Sequence, residues 1–344
     1  MPDEVRDIKS LDLNDIESGL ADLGEPRFRT RQLVRWLYGR GVAGFDEMTD
    51  LPQALRSSLA ERYRLGRPVL VTREVSADGT RKYLWRLSDG TTVESVGIPA
   101  GDRLTVCYST QAGCAMGCTF CATGRSGLTR SLLPGEMVDQ VLGVATDMRS
   151  RVSNAVAMGQ GEPFANYDST LAALRFMNSP DGMGIGARHL TVSTCGLLPG
   201  IRRFSTEPEQ FTLAVSLHSA VQTTRDAIMP GVRRYPLHQL REVLAAYGTD
   251  TGRRPTLEYA LAAGTNDSDA ELRALVDFCR GLLCHVNLIP MNPVEGSRTA
   301  RPEDARVRSF AAALASAGIE CSIRAERGAD INAACGQLRQ RHPA

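Results

Sequence analysis

From Gly101 onward the chain repeats one pattern six times: a short β-branched run, a glycine-rich or polar loop, then a longer stretch with apolar residues at helical spacing. The predicted strands are Leu104 to Tyr108, Ala155 to Met158, Leu190 to Ser193, Thr212 to Ser216, Thr256 to Ala260 and His285 to Ile289. Gly135 to Met148, Leu237 to Tyr247, Asp269 to Leu283 and Glu303 to Ala317 carry the helical spacing. Parallel strands need long crossovers, and right-handed crossovers lay successive strands side by side. Six such units predict an α/β fold, a parallel sheet curved into a partial (β/α)6 barrel, with functional residues at the C-terminal strand ends.

Two smaller units precede the barrel. Between Asp12 and Leu65 apolar residues recur at helical spacing, broken at Gly24-Glu25-Pro26 and at Gly44. Pro68 to Arg73, Lys82 to Leu87 and Thr91 to Ile98 alternate like strands, separated by Ala77-Asp78-Gly79 and Ser88-Asp89-Gly90 turns. The expected organisation is a helical accessory domain over 1–66, a short β extension over 67–100, and the barrel over 101–344. A chain of 344 residues with 42% apolar composition can fill a core of that size.

Charge interrupts Met1 to Leu20 every few residues, so no signal peptide or membrane span is expected there. A soluble cytoplasmic monomer with no membrane partner is the expectation. The formal net charge of +1 excludes an argument for a polyanionic partner from bulk electrostatics, leaving only local patches. One such patch runs from Arg27 to Arg40, with five arginines, three aromatics and no acid. Arginine contacts phosphate and aromatic rings stack on unpaired bases, so this is a candidate RNA clamp. The competing reading is that Trp36 and Leu37 face the accessory domain's own core and the arginines form a solvated face.

Nine cysteines are present, four of them within Cys107 to Cys121. Uneven spacing of this kind does not suit a secreted disulfide framework. Directly after the first barrel strand, Cys114, Cys118 and Cys121 form a C-x3-C-x2-C motif. Three thiolates can hold three irons of a [4Fe-4S] cube and leave the fourth open. The alternative, a zinc knuckle, usually takes four ligands, and no fourth Cys or His follows within the next sixty residues or so. The motif resembles that of radical S-adenosylmethionine enzymes, in which the open iron chelates the cofactor.

Further strings stand at successive strand ends: VESV around Glu94, TVCYSTQAGC ending at Cys114, GEP at Gly161 to Pro163, VSTCG around Ser193, VSLHS around His218, NLIPMNP around Asn292 and INAACGQL around Cys335. Together, from about Leu11 to the end, they resemble the RlmN/Cfr family of radical S-adenosylmethionine methyltransferases of ribosomal RNA adenines. That resemblance implies one [4Fe-4S] cluster on Cys114, Cys118 and Cys121, and two S-adenosyl-L-methionine molecules per turnover. It places Gly161, Glu162, Ser193, Ser216, Leu217, His218 and Asn292 around the cofactor. It makes Cys335 the carrier of the methyl group, Cys107 the thiol that resolves the adduct, and Glu94 a proton acceptor.

The implied reaction is methylation of adenine C2 in 23S rRNA and in tRNA, with flavodoxin or ferredoxin as electron donor; C8 methylation of the same rRNA adenine is the alternative. Cys195, Cys279, Cys284 and Cys321 are expected to be inert buried thiols. Gln160 departs from the family, which usually has Met before Gly-Glu-Pro, and bears on how the cofactor packs.

Overall fold

The computed structural model describes residues 5–291, 300–331, 333 and 338. Its first unit is helical: α1 (Leu13–Ala21), α2 (Phe28–Val34) and α3 (Gln53–Arg62), tied by a two-residue parallel pairing of β1 (Arg6–Asp7) with β2 (Tyr63–Arg64). Asp12 caps α1 by accepting a hydrogen bond from the Asp15 amide. After α2 the chain continues into a π-helical stretch, Arg35–Arg40, that ends at Gly41 in the left-handed region (φ 63°). The wider turn buries Trp36, Leu37 and Tyr38 in succession.

The β extension is β3 (Val69–Val75), β4 (Arg81–Arg86) and β5 (Thr92–Ala100), all antiparallel. It is continuous with the barrel sheet, because β5 pairs antiparallel with β6 (Arg103–Cys107). A small hairpin, β7 (Gln111–Gly113) with β8 (Leu128–Ser131), encloses the short helix α4 (Ala122–Arg125). Alternating units follow: α5 (Pro134–Met148), β9 (Val152–Ala157), α6 (Tyr167–Asn178), β10 (Leu190–Thr194), α7 (Leu198–Ser205) and β11 (Thr212–Ser216). Then come α8 (Gln222–Ile228), α9 (Leu237–Thr251), β12 (Thr256–Leu261), α10 (Asp269–Cys279), β13 (His285–Pro290), α11 (Asp304–Ser316) and β14 (Cys321–Ile323).

Ten strands form one sheet in the order β14-β13-β12-β11-β10-β9-β6-β5-β4-β3. Strands β6 and β9 to β14 are mutually parallel, so the six expected strands are present and β14 adds a seventh, too short to show alternation in sequence. The sequential order is what right-handed crossovers produce, and it gives a partial barrel with two distinct faces.

Alternation along each strand assigns residues to those faces. Val106, Ala155, Val192, Leu213, Leu257 and Leu288 join Val138, Val141 and Val144 of α5 in the main core. Their neighbours Cys107, Val156 and Met158 belong to a separate apolar group with Val96 and Leu338, on the opposite side.

Candidate active site

A cavity of about 400 Å³ opens at the C-terminal ends of the parallel strands. Cys107 at the end of β6, Gly161 and Glu162 after β9, Ser193 on β10, and Ser216 and His218 at the end of β11 all line it. So do Cys114, Cys118 and Cys121, together with Ala333 and Leu338, which flank Cys335 in sequence. Cys335 and Asn292 lie outside the described residues.

The cysteine loop is built by backbone constraints. Gly113 has φ 78°, and a Cβ there would sit 2.1 Å from the Gly127 carbonyl oxygen, so only glycine lets the hairpin close. The Cys114 amide donates to that same carbonyl at 2.8 Å. Farther along, the Thr119 amide donates to the Ile228 carbonyl at 3.0 Å, and the Gly231 amide donates to the Met116 carbonyl at 2.9 Å. The end of α8 is thus fastened to the loop that carries the thiols.

Burial pushes the Cys114 thiol up to about 12 and raises Cys121. Cys118 moves the other way, because Cys195 hydrogen-bonds to it and Cys195 is itself driven well above the ordinary thiol range. Cys195, expected to be an inert thiol, is kept protonated by its raised pKa, but it borders the cavity and touches the motif. Nothing local in sequence marks it, since β10 and the cysteine loop meet only in three dimensions.

Glu162 is buried and does not simply face the cavity. One carboxylate oxygen accepts from the Phe164 amide at 3.0 Å and the other from the Cys195 amide at 2.6 Å, while burial raises its pKa. It ties the Gly-Glu-Pro turn to the end of β10. Gly161, with φ 104°, presses against Gln111, and the Glu162 amide donates to the Gln111 side chain at 2.9 Å. Gln160 contributes through its backbone, whose carbonyl accepts from the Thr110 and Gln111 amides.

His218 adopts φ 56°, and its Nδ1 accepts from the Ala260 amide at 3.0 Å. Burial, helped by the Arg225 charge, lowers its pKa to about 3, so the ring is neutral. The Leu217 side chain is fully buried in the main core, so between Ser216 and His218 only its backbone is offered toward the cavity. Alternation explains this, since Ser216 and His218 face one way and the residue between them faces the other.

Glu94 is only 3% exposed, and the Lys82 ammonium stands 4.0 Å away. Lys82 also donates to the Ile331 carbonyl at 2.8 Å. Sequence reading missed Glu258, a buried carboxylate on the cavity wall that burial raises in pKa and that accepts from Asn287 at 2.8 Å. It also missed Arg225, which is wholly buried behind Cys195 and Ser216.

The arginine-rich segment is mostly a seam within the protein. Tyr38 stacks on Phe176 with ring centroids 4.1 Å apart, Trp36 is buried, and Arg31 and Arg35 both hold Asp181. Two of its three aromatics are therefore closed to bases; Phe28, 54% exposed, is the exception.

Among the described residues no three His, Cys, Asp or Glu side chains converge on a single ion. The three thiols share one cavity wall, as a polynuclear cluster requires when each thiolate takes its own iron. Among the described residues two nitrogens of the buried Arg225, Nε and Nη1, have no hydrogen-bond partner, which suits an anionic group held nearby. A parallel partial barrel with such a triad at its mouth defines a radical S-adenosylmethionine enzyme.

Residues 108–279 match the radical SAM superfamily, and residues 6–65 match the ribosomal RNA large subunit methyltransferase N-terminal domain. The chain belongs to the RlmN family of RNA methyltransferases. It is 46% identical to the probable dual-specificity RNA methyltransferase RlmN of Desulforamulus reducens, over 97% of this chain and 96% of that one. It is also 46% identical to the protein of that name from Synechococcus elongatus, over 95% and 91%. A crystal structure of a radical SAM methyltransferase from Sphaerobacter thermophilus superposes with a TM-score of 0.91 at 46% identity, covering 97% of this chain and 99% of that one.

Proposed function

We propose that this enzyme methylates C2 of an adenine in 23S rRNA, and of an adenine in tRNA, by way of a methyl group carried on Cys335. The observation that carries the reading is the shared cavity: Cys107, the three motif thiols, and the residues flanking Cys335 line one space. Cys114, Cys118 and Cys121 would hold the cluster, and the Gly161, Ser193, Ser216 and His218 rim would hold S-adenosylmethionine. The cluster, when bound, supplies the electron that cleaves S-adenosylmethionine and so starts hydrogen-atom removal from the methyl group on Cys335.

An adenine ring carbon has no lone pair with which to attack a sulfonium methyl, so the carbon must be delivered from a protein sulfur. Glu94, buried beside Lys82, takes the ring proton. That proton leaves once the methylene radical on Cys335 has bonded to the ring carbon, and the adduct returns one electron to the bound cluster. Cys107 then attacks the sulfur of Cys335, and the carbon–sulfur electron pair stays with the base. The new carbon takes up a proton to become the methyl group, and a Cys107 to Cys335 disulfide remains. That disulfide and the cluster both need a reductant, for which flavodoxin or ferredoxin is the proposed class.

Residues 1–66 are the proposed RNA-binding accessory domain, with exposed Phe28 and the Arg29 guanidinium stacked on it at 4.8 Å as the surviving contact candidates. Among the described residues no helix is long and apolar enough to cross a membrane, and we propose a cytoplasmic monomer. The relatives reported above carry the RlmN name, and C8 methylation draws no support from them.

The test is a reaction of the cluster-reconstituted enzyme with 23S rRNA, followed by mass spectrometry of the adenosines. The expected product is 2-methyladenosine. Cys335→Ala yields none, and Cys107→Ala accumulates protein crosslinked to RNA. An 8-methyl product, or full activity of Cys335→Ala, overturns the proposal.

A further inference from the structure

Arg225 occupies an unusual place for a guanidinium. It is 0% exposed, on the short helix that follows β11. Its Nη2 donates to the Cys195 carbonyl at 2.7 Å and weakly to the Ser216 carbonyl at 3.4 Å. Among the described residues its Nε and Nη1 have no hydrogen-bond partner. Among the described residues no carboxylate forms an ion pair with it; Asp226, next in sequence, instead accepts from Gln222.

A buried cation with unmet donors and no anion is costly, and proteins rarely retain one without a partner. The partner is indicated by what stands around it. The charge of Arg225 acts on the Cys118 and Cys195 thiols, and its helix ends in the Ile228 and Gly231 bonds that clamp the cysteine loop. Three thiolates outweigh the doubly positive oxidised iron–sulfur cube by one charge, and by two after the cube accepts an electron. In a site this dry, a nearby positive charge acts strongly on that step.

We propose that Arg225 is the counter-cation of the iron–sulfur cluster, favouring its reduced state and so setting the potential at which the enzyme accepts an electron. The role is electrostatic and rests on the assignment of the cluster to Cys114, Cys118 and Cys121. In the cluster-free protein Arg225 is a liability; in the loaded protein it is matched.

That contrast makes the inference testable without measuring methylation. The variants are Arg225→Met, of similar length and uncharged, and Arg225→Lys, which keeps the charge. The readouts are iron and sulfide content, the midpoint potential from an EPR-monitored titration of the anaerobically reconstituted cluster, and the melting temperature after the cluster is stripped with a chelator. Arg225→Met is expected to shift the potential to more negative values, with Arg225→Lys close to wild type. Stripped Arg225→Met is expected to melt at or above the stripped wild type.

Loss of the cluster from a folded Arg225→Met that Arg225→Lys retains also supports the proposal. A wild-type potential in Arg225→Met, no rescue by Arg225→Lys, loss of the cluster from both variants, or a stripped Arg225→Met that melts lower or does not fold overturns it. Failure of the wild type itself to load four irons is a different result, and it strikes the cluster assignment.

Discussion

Ser76 donates a 2.6 Å hydrogen bond to Asp330, joining the tip of the β3–β4 hairpin to the segment that leads to Cys335. The Ala77 amide donates to the same carboxylate at 3.1 Å, and the Gly328 amide donates to Asp78 at 3.2 Å. On the far side of Cys335, the Thr123 hydroxyl donates to the Leu338 carbonyl at 2.7 Å. The chain is therefore anchored on both sides of the proposed methyl carrier. The β extension acts as a brace for the segment that leads to the proposed methyl carrier.

The brace predicts a pH window. The Ser76 bond and the Ala77 amide hold Asp330 below the usual carboxylate range. Burial opposes ionisation of Asp78, but bonds from Thr80, Ser76 and Gly328 outweigh it and lower its pKa to about 2. Both folded pKa values are depressed, so the stabilisation is present above the unfolded value of about 4 and is lost as the pH falls toward about 2. The amide protection factors over residues 326–331, corrected for the intrinsic pH dependence of exchange, should stay high from neutrality to about pH 4 and fall below it. Asp330→Ala should exchange fast at neutral pH and lose roughly ten- to a hundred-fold in methylation rate through misplacement. Unchanged exchange in that variant rules the brace out.

Much of this site was legible because strand alternation and thiol spacing are local properties. The six strands and the Cys114–Cys118–Cys121 triad follow from patterns a few residues long. Cys195 and Arg225 were not legible, because what defines them is contact between β10, α8 and the cysteine loop, and sequence distance hides that. Leu217 differs again: the period of two turns its side chain into the core, which leaves only its backbone at the strand end to face a cofactor. Trp36 and Tyr38 look like base-stacking residues until the π-helical turn buries both.

Lys9 and Asp139 form a buried ion pair, with bonds of 2.6 and 2.8 Å, that docks the N-terminal unit on α5. Burial raises Asp139 more than Lys9 lowers it, so neither charge is cheap to keep. Breaking such a pair from one side strands the other charge and costs about 3–5 kcal/mol. Lys9→Met and Asp139→Leu should each destabilise by that amount in denaturant titrations. The double variant should recover most of the loss, because no charge is left unpaired. Losses that simply add would show that the pair is not the source of the effect.

Gly161 has no room for a side chain. A Cβ there would lie 2.6 to 2.7 Å from Gln111, at a φ of 104° that L-residues rarely adopt. Gly161→Ala should therefore cost about 1–3 kcal/mol and displace the turn that Glu162 anchors. Equilibrium dialysis should show weakened S-adenosylmethionine binding while iron content stays at the wild-type level. Loss of iron together with the cofactor would mean that the turn supports the cysteine loop instead of the ligand.

His218 makes stability depend on pH in one direction. Its folded pKa of about 3 lies below the unfolded value of about 6.5, so between these limits the unfolded chain binds the extra proton. Stability is complete above about 6.5 and is lost as the pH falls, with a slope of about 1.4 kcal/mol per pH unit from this one group. The physical source is burial of the imidazole, which penalises its charged form, with the Arg225 charge adding to it; the neutral ring's Nδ1 accepts from the Ala260 amide. Denaturant titrations of the cluster-free protein in mildly acidic buffers should show this slope. In His218→Asn, whose side-chain oxygen can accept the same bond without titrating, the slope should be shallower by that amount. Parallel profiles for the two proteins would place the acid sensitivity elsewhere and leave the buried, neutral state of His218 without support.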